Sequence, residues 1–345
     1  MRSAYITGLA SETLQPGERA LLAATRPAGI ILFARNCTSP GQIKQLVGDA
    51  KSAIGFDDVL VLIDQEGGRV RRLRPPQWRE LPPASAYAAL YRSDIPGTLE
   101  DARLAARLTA QDLRALGINT NCAPVLDVPV PGAHDIIGDR AYGTDWRQIA
   151  AIGWAVAEGY IAGGVVPVIK HIPGHGRSLA DSHLELPIVT ASRSELEASD
   201  FAPFHALRDM PAAMTAHVVY AALDANAPAS TSASVTADVI RGRIGFEGLL
   251  MSDDLGMKAL AGPFFERARA VIRAGSDVAL HCGGDLVEMA AVASGVPALA
   301  GPALRRFEAC IGITRRVQPF DQSAAEAALA RVIAHAVVSS VPTVA

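Results

Sequence analysis

Eight short and nearly continuous apolar runs recur along the 345-residue chain, each followed by polar or glycine-rich residues. The runs are 4–9, 29–34, 58–64, 118–128, 165–172, 212–220, 248–254 and 276–282. Uninterrupted hydrophobicity over so few residues is typical of strands that are covered on both faces, as in parallel sheets. The pattern therefore predicts eight β-strands.

Alanine-rich stretches with apolar residues three and four positions apart lie between these runs, for example GQIKQLVGDAKSAIG and LEDARLAARLTAQDLRALG. This spacing indicates amphipathic helices, and the glycine that follows is a common helix C-terminal cap. Eight strands alternating with helices predict an α/β protein, specifically a (β/α)8 TIM barrel. A doubly wound open sheet is the alternative, but it usually has fewer strands, and no GxGxxG motif follows the first run.

The chain shows no linker, repeat or low-complexity tract, so we expect residues 1–345 to form a single domain. The segment SAAEAALARVIAHAVV, residues 323–338, has a helical apolar spacing. It predicts a C-terminal amphipathic helix that packs on the outside of the barrel.

Composition excludes several classes of protein. The chain has 32 basic and 35 acidic residues, a net charge of −3, and therefore no electrostatic footprint for nucleic acid or an anionic membrane. The four cysteines lie far apart, so we expect reduced and buried thiols rather than a disulfide scaffold. Because no signal peptide and no spanning apolar stretch is visible, we expect a soluble, cytoplasmic protein.

Polar side chains collect where the predicted strands end. In chain order they are Asp64, Glu66, Asp127, Lys170, His171, His217, Asp253, Asp254 and His281. A (β/α)8 barrel carries its active site at the C-terminal ends of its strands. The sequence thus predicts an active site at this rim.

Asp253 and Asp254 are adjacent carboxylates at the end of the seventh run. Either could be the N-cap of a helix that begins near Leu255. The functional alternative is a nucleophile, or a stabiliser of positive charge, at the anomeric carbon of a sugar. Since neighbouring strand residues point in opposite directions, we expect at most one of the pair to face a substrate directly.

The stretch KHIPGHGRSLADSHLELP, residues 170–187, contains three of the eight histidines. A zinc site could be drawn from His171, His175, Asp181 and His183. Pro173 breaks the helix that an His-x3-His pair would need, so we expect a tight loop instead.

Within the DSH triplet, Asp181 precedes His183 by two residues. In an extended loop the Asp181 carboxylate can hydrogen-bond one imidazole nitrogen and prepare the other as a general acid and then a general base. A surface ion pair is the alternative for these two residues.

The stretch DQEGGRVRRL places four charged residues around Gly67 and Gly68, namely Asp64, Glu66, Arg69 and Arg72. We expect the two glycines to let the backbone approach a ligand closely. Carboxylates and guanidinium groups together suit bidentate hydrogen bonds to sugar hydroxyls. A solvated, salt-bridged loop is the alternative, and Arg140 in GDRAYG offers a further guanidinium.

The motifs DQEGGRV, NCAPVLDV, GDRAYG, KHIPGHG with DSH, and SDDLGM occur in this order and resemble glycoside hydrolase family 3. More narrowly, they resemble its bacterial single-domain β-N-acetylhexosaminidase branch, which works in peptidoglycan recycling. The resemblance runs from about residue 5 to residue 320. It implies a (β/α)8 barrel that hydrolyses with retention through a covalent glycosyl-enzyme.

The resemblance also implies a role for individual residues. Asp253 would be the nucleophile, His183 the acid/base on a loop and Asp181 its partner. The groups that bind N-acetylglucosamine match Asp64, Arg72, Arg140, Lys170 and His171. Ile172, where the family often has an aromatic residue, should be a change in packing only.

The partner implied is a small carbohydrate, namely terminal β-linked N-acetylglucosamine on N-acetylglucosaminyl-1,6-anhydro-N-acetylmuramyl peptides. We expect a monomer, with no metal, no cofactor, and no nucleic-acid or membrane partner. Four alternatives stay open: attack by the sugar's own acetamido oxygen, phosphorolysis, broader action on chitin-type oligosaccharides, and a non-catalytic sugar-binding barrel. A metal-dependent hydrolase is a further rival that EDTA would test.

Overall fold

The computed structural model describes residues 1–182 and 184–340, and in this part of the chain eight parallel strands close into a barrel. Each strand pairs with its neighbours in sequence, and the last pairs with the first. Numbered in chain order, the barrel strands are β1 Ser3–Gly8, β2 Pro27–Leu32, β3 Leu60–Ile63, β4 Thr120–Asn121, β5 Val166–Ile172, β6 Ala212–Thr215, β7 Leu249–Asp254 and β8 Val278–His281. The predicted (β/α)8 barrel is confirmed, and the open-sheet alternative is wrong.

Two of the strands are much shorter than their apolar runs. The run 118–128 forms a strand only over Thr120–Asn121. Pro124 follows and has no N–H to donate to a ladder, and beyond it the run pairs with β5 through a single bridge between Val125 and Lys170. The run 212–220 divides in two. Its second part, Val219–Tyr220, pairs with Ile188–Val189 in a separate two-stranded sheet.

Helices cover the barrel. They are α1 Pro16–Thr25, α2 Pro40–Ile54, α3 Ala84–Tyr91, α4 Ile95–Ala115, α5 Trp146–Ala162, α6 Arg193–Glu195, α7 Ala202–Ala206, α8 Phe264–Arg273, α9 Leu286–Ser294, α10 Gly301–Thr314 and α11 Gln322–Ser340. Wider π-helical turns span Leu196–Asp200 and Val235–Arg243. None of the helices in the described residues is long and apolar enough to cross a bilayer.

Strand residues alternate between two apolar layers. Leu60 and Leu62 of β3 pack in one cluster with residues of the other strands, whereas Val61 and Ile63 pack in the larger cluster formed with the helices. This is the period of two of an extended strand. The barrel interior is therefore filled with side chains, and a ligand can reach the strands only at their ends.

Helix α11 lies on the outside, where Ala325, Leu329 and Val332 join the larger apolar cluster. Arg331 pairs with Asp101 of α4.

All four cysteines are free. Cys122 and Cys310 are buried as expected, but Cys37 and Cys282 are only half-buried.

Candidate active site

A cavity of about 480 Å³ opens at the C-terminal ends of the barrel strands. Its wall includes residues that end or follow β2, β3, β5, β6, β7 and β8, together with residues of the long loops after β3, β4 and β5. The polar lining residues are Asp64, Glu66, Arg69, Arg72, Arg140, Lys170, His171, His175, Ser182, Asp253 and Asp254. The structure thus brings the five predicted sugar-binding residues and Asp253 to one cavity.

Lys170 is the centre of a buried ion-pair network. Its Nζ lies 2.8 Å from Oδ1 of Asp64 and 2.6 Å from Oε1 of Glu66. Arg72 donates to the second oxygen of Asp64 at 3.0 Å, and Arg140 binds both oxygens of Glu66 at 2.8 and 2.9 Å. The Lys170 side chain is only 3% exposed, so the network is not the solvated loop considered as an alternative.

The ionisation of the network follows from these contacts. Burial alone would raise the pKa of Asp64, but Lys170 and Arg72 outweigh it and lower the pKa. Burial is likewise outweighed at Glu66, where Arg140 and Lys170 lower the pKa. Burial would lower the pKa of Lys170, yet the two carboxylates raise it. All these groups are therefore charged at neutral pH.

Arg69 does not belong to this network, although it follows in the same stretch. It pairs with Asp135 and Asp139, and its own side chain is 41% exposed. For this arginine the salt-bridged surface alternative is correct.

Asp127 holds His171 in place. Its Oδ2 lies 2.7 Å from Nδ1 of His171, and its Oδ1 accepts from the backbone N–H groups of His171 and His175 at 3.1 and 2.7 Å. Burial would raise the pKa of Asp127, but His171 and these hydrogen bonds lower it to about 2. Because Asp127 is ionised, Nδ1 of His171 carries a proton and donates a hydrogen bond to Asp127. Nε2 is therefore the ring nitrogen that can form a hydrogen bond with a ligand.

Asp253 and Asp254 both line the cavity, but their contacts differ. Oδ1 of Asp253 accepts from the N–H of Asp254 at 2.8 Å. Oδ1 of Asp254 accepts from the N–H groups of Gly256 and Cys282 at 2.9 and 2.8 Å. No helix begins at Leu255, since α8 starts only at Phe264, so the helix N-cap interpretation is wrong.

His217 supports the same turn from behind. Its Nε2 lies 3.0 Å from the carbonyl oxygen of Asp254, and its Nδ1 lies 2.7 Å from Oγ of Ser230. A carbonyl can only accept, so Nε2–H donates to Asp254, and Nδ1 accepts from the Ser230 hydroxyl. Burial lowers the pKa of His217 and keeps this neutral tautomer at neutral pH.

The predicted acid/base pair is described only in part. Asp181 is half-buried, and its carbonyl accepts from the N–H groups of Leu184 and Glu185. His183 lies outside the described residues, and with it the predicted contact between Asp181 and His183. In residues 1–182 and 184–340, no group of three or more His, Cys, Asp or Glu side chains could hold a metal ion.

Three residues contribute to the site in ways that the sequence did not indicate. Glu66 was expected only as a possible ligand of sugar hydroxyls, and Asp127 only as a carboxylate at a strand end, yet they orient Arg140 and His171. Phe33 follows β2, and its ring lies 5.0 Å from the guanidinium carbon of Arg72. The sequence signal for this contact was the position of Phe33, an aromatic residue at the end of an apolar run. The face of such a ring can bind an arginine guanidinium.

The glycine pair has a structural reason inside the protein. Gly67 has φ +110°, and a Cβ there would lie 2.2 Å from the carbonyl oxygen of Pro82. A Cβ on Gly68 would lie 2.8 Å from Cβ of Pro83. The two glycines therefore let the chain pack closely against its own proline segment, and the expected close approach to a ligand stays a prediction.

Residues 8–306 match the family described as Glycosyl hydrolase family 3 N terminal domain. A β-hexosaminidase of Alkalilimnicola ehrlichii is 42% identical over 283 residues, which cover 80% of this chain and 79% of that protein. A β-hexosaminidase of Aromatoleum aromaticum is 34% identical over 316 residues, covering 90% and 88%.

Solved structures agree with this likeness. NagZ from Neisseria gonorrhoeae, in complex with N-trifluoroacetyl-D-glucosamine, superimposes with a TM-score of 0.84 at 30% identity and covers 97% of this chain and 98% of its own. A family 3 β-N-acetylglucosaminidase from Paenibacillus sp. str. FPU-7 gives a TM-score of 0.85 at 29% identity, covering 96% of this chain and 67% of that one.

Proposed function

The chain belongs to glycosyl hydrolase family 3, and from this premise we propose that it is a retaining β-N-acetylglucosaminidase acting on peptidoglycan fragments. Glycoside hydrolase activity of the β-N-acetylhexosaminidase type follows from the family and its named relatives. The proposed substrate is N-acetylglucosaminyl-1,6-anhydro-N-acetylmuramyl peptide, from which the terminal sugar is released. The observation that supports this most strongly is the cavity in which the buried ion-pair network faces Asp253.

In the proposed reaction, one oxygen of Asp253 attacks C1 of the β-linked sugar while the protonated His183 donates its proton to the departing oxygen. The C1–oxygen bond breaks, and a glycosyl ester on Asp253 forms. Neutral His183 then takes a proton from water, which attacks C1 and releases the carboxylate with net retention. The N–H that Asp254 donates to Asp253 favours the ionised carboxylate that the first step needs.

The network would bind and orient the sugar. Carboxylates of Asp64 and Glu66 can accept from hydroxyl groups, while Arg72, Arg140 and Lys170 can donate to hydroxyl oxygens. Because these charges are already paired with one another, they need no rearrangement when a neutral sugar enters. His171 would add a hydrogen bond through Nε2, with its ring held by Asp127.

The experiment is an intact-mass spectrum after incubation with a 5-fluoro N-acetylglucosaminyl donor that bears a good leaving group, followed by peptide mapping. We expect one sugar adduct on the peptide that contains Asp253, and none in the matched Asp253→Asn variant. Hydrolysis without an adduct would contradict the covalent route and favour attack by the acetamido oxygen. Neither adduct nor hydrolysis would contradict the proposed sugar and favour a barrel that only binds.

Two further assays separate the remaining alternatives. Release of sugar 1-phosphate in phosphate buffer would identify phosphorolysis. Equal kcat/KM values on chitin oligosaccharides and on the anhydromuramyl substrate would replace the peptidoglycan assignment with a broader specificity. We expect neither result.

The organisation of the protein completes the proposal. We propose a single catalytic domain of residues 1–345 that acts as a monomer in the cytoplasm, without a metal or cofactor. Light scattering of the purified chain tests the monomer, and unchanged activity in EDTA tests the metal independence.

A further inference from the structure

The loop that follows β5 is held firmly in its first half. The hydroxyl of Tyr220 donates to the carbonyl oxygen of Gly174. Arg177 pairs with Asp200, with 2.7 Å between Nε and Oδ2. A Cβ on Gly176 would lie 2.0 Å from the carbonyl oxygen of Val128, so the backbone is in close contact there. This half of the loop is therefore part of the barrel rim.

The second half of the loop behaves differently. Leu179 and Leu184 are 70% and 65% exposed, although both are apolar. Ser182 lies between them and is only 2% exposed. Its Oγ lies 3.0 Å from Nε2 of His175. An exposed segment thus turns one small polar side chain inward, to a histidine in the wall of the sugar cavity.

His175 connects Ser182 to the sugar-binding side of the cavity. Its backbone N–H donates to Asp127, the same carboxylate that holds His171. The rings of His171 and His175 meet edge to face with their centres 5.6 Å apart. Ser182, His175, Asp127 and His171 therefore form one continuous set of contacts.

The hydrogen bond to Ser182 matters to His175 itself. The ring is buried, and burial, followed by the nearby His171, lowers its pKa to about 4, so the ring is neutral at pH 7. Its Nδ1 is buried without a hydrogen-bond partner in the described part of the chain. Nε2 is therefore the ring nitrogen that is satisfied there, and a buried polar group left unpaired is costly.

We propose that the hydrogen bond between Ser182 and His175 positions the acid/base segment, residues 181–183, at the wall of the sugar cavity. The inference rests on the proposed function, in which Asp181 and His183 supply the acid/base chemistry. Ser182 lies between these two residues in the sequence. A fixed position of Ser182 would therefore restrict the positions that both neighbouring residues can take. Misplacing a catalytic group by about 1 Å can cost roughly 100-fold in rate.

The test compares two substrates in Ser182→Ala. On an unactivated N-acetylglucosaminyl disaccharide, whose leaving group needs a proton, we expect kcat/KM to fall about 10- to 100-fold. On a 2,4-dinitrophenyl N-acetylglucosaminide, whose leaving group needs none, kcat/KM should change by less than about twofold. This second value also reports that the variant is folded and that its sugar pocket is intact.

Azide gives an independent readout of the second step. The dinitrophenyl substrate still needs a general base for hydrolysis of the glycosyl-enzyme, so kcat for this substrate should fall in Ser182→Ala. Azide attacks C1 without losing a proton. It should therefore raise kcat of the variant with formation of the β-glycosyl azide, and leave the wild-type kcat nearly unchanged.

Three matched variants complete the test. Ser182→Thr keeps the hydroxyl and should recover most of the loss on the disaccharide. His175→Asn keeps a buried amide but is too short to reach Ser182, and should lower kcat/KM more on the disaccharide than on the dinitrophenyl substrate. Ser194→Ala, at an exposed serine of α6, should behave as the wild type.

The failures of the two proposals are distinguishable. An equal fall in kcat/KM on both substrates in Ser182→Ala, or no fall on either, would overturn the positioning role. If kcat/KM falls more on the disaccharide than on the dinitrophenyl substrate in His183→Ala but not in Ser182→Ala, only the present inference is wrong. If kcat/KM of His183→Ala falls equally on both substrates, the acid/base assignment is wrong, and this inference is wrong with it.

Discussion

The backbone N–H of Asp254 donates a 2.8 Å hydrogen bond to Oδ1 of Asp253. Asp254 is itself held through its carboxylate by the N–H groups of Gly256 and Cys282, and through its carbonyl by His217. Two adjacent aspartates therefore have different environments. The contacts of Asp254 with the backbone stabilise the turn, and that turn supports Asp253.

This difference predicts unequal effects of isosteric substitutions. Asp253→Asn should lower kcat/KM on an aryl N-acetylglucosaminide by roughly 10⁴-fold or more, as expected for loss of a nucleophile. Asp254→Asn keeps an oxygen that can accept from the N–H groups of Gly256 and Cys282, so its kcat/KM should fall only about tenfold. Equal losses in the two variants, measured by steady-state kinetics, would contradict the assignment of the nucleophile.

His217 is expected to act through the same turn. His217→Ala removes the donor to the Asp254 carbonyl and should lower kcat about tenfold and the free energy of unfolding by about 1–3 kcal/mol. His217→Gln can place an amide N–H near the position of Nε2 and should recover part of both losses. Chemical denaturation and kinetics on the same samples check this, and a full loss of kcat in His217→Gln without loss of stability would argue for a direct chemical role.

Glu66 should be as important as the residues it orients. Glu66→Gln removes a charge that balances Arg140 and Lys170, so it should destabilise the fold by about 3 kcal/mol, typical of a broken buried ion pair. It should also raise KM at least about tenfold, because both cations lose their fixed positions.

The control for Glu66 is Glu100→Gln in α4. Glu100 pairs with Arg103 at the surface, and its side chain is 52% exposed. A pair of this kind contributes about 0–1 kcal/mol. A loss of stability in Glu100→Gln as large as that in Glu66→Gln would contradict the importance of burial.

Asp127 makes the stability of the fold depend on pH. Its pKa in the folded protein is about 2, below the ordinary value of 3.8. A carboxyl group with a lowered folded pKa contributes stability that is present above the unfolded pKa and is lost as the pH falls through the folded pKa. We expect this contribution, about 2 kcal/mol, to disappear between about pH 4 and pH 2.

The measurement is the free energy of unfolding by urea at several pH values. Asp127→Asn should be less stable than the wild type at pH 6, and its stability should change less between pH 4 and pH 2. A variant that keeps the full wild-type dependence on pH would assign the effect to other carboxyl groups, of which Asp64 and Glu66 also have lowered pKa values.

The barrel was predictable because its information is local. A strand covered on both faces needs a short apolar run, and the runs at 58–64 and 276–282 contain β3 and β8. The location of the site was predictable for a related reason. Parallel strands all point their C-terminal ends to one rim, so Asp64, Lys170 and Asp253 had to come together once the fold was known.

The pairing of the charged groups could not be read from the chain. Glu66 and Arg140 are 74 positions apart, and either carboxylate of the DQEGG stretch could have bound Arg140. Nor could the pattern show that Val219–Tyr220 leave the barrel to pair with Ile188–Val189. An apolar run specifies burial but not the partner strand.

By itself, then, the sequence determined the eight-stranded barrel, the rim that carries the chemistry and the residue types available there, because hydrophobic period and motif order are properties of the chain. Only the tertiary structure decided that Asp254 stabilises a turn, that Gly67 faces Pro82, and that Ser182 reaches His175. Those outcomes depend on which groups meet across distant segments, where burial makes each unpaired charge or polar atom costly.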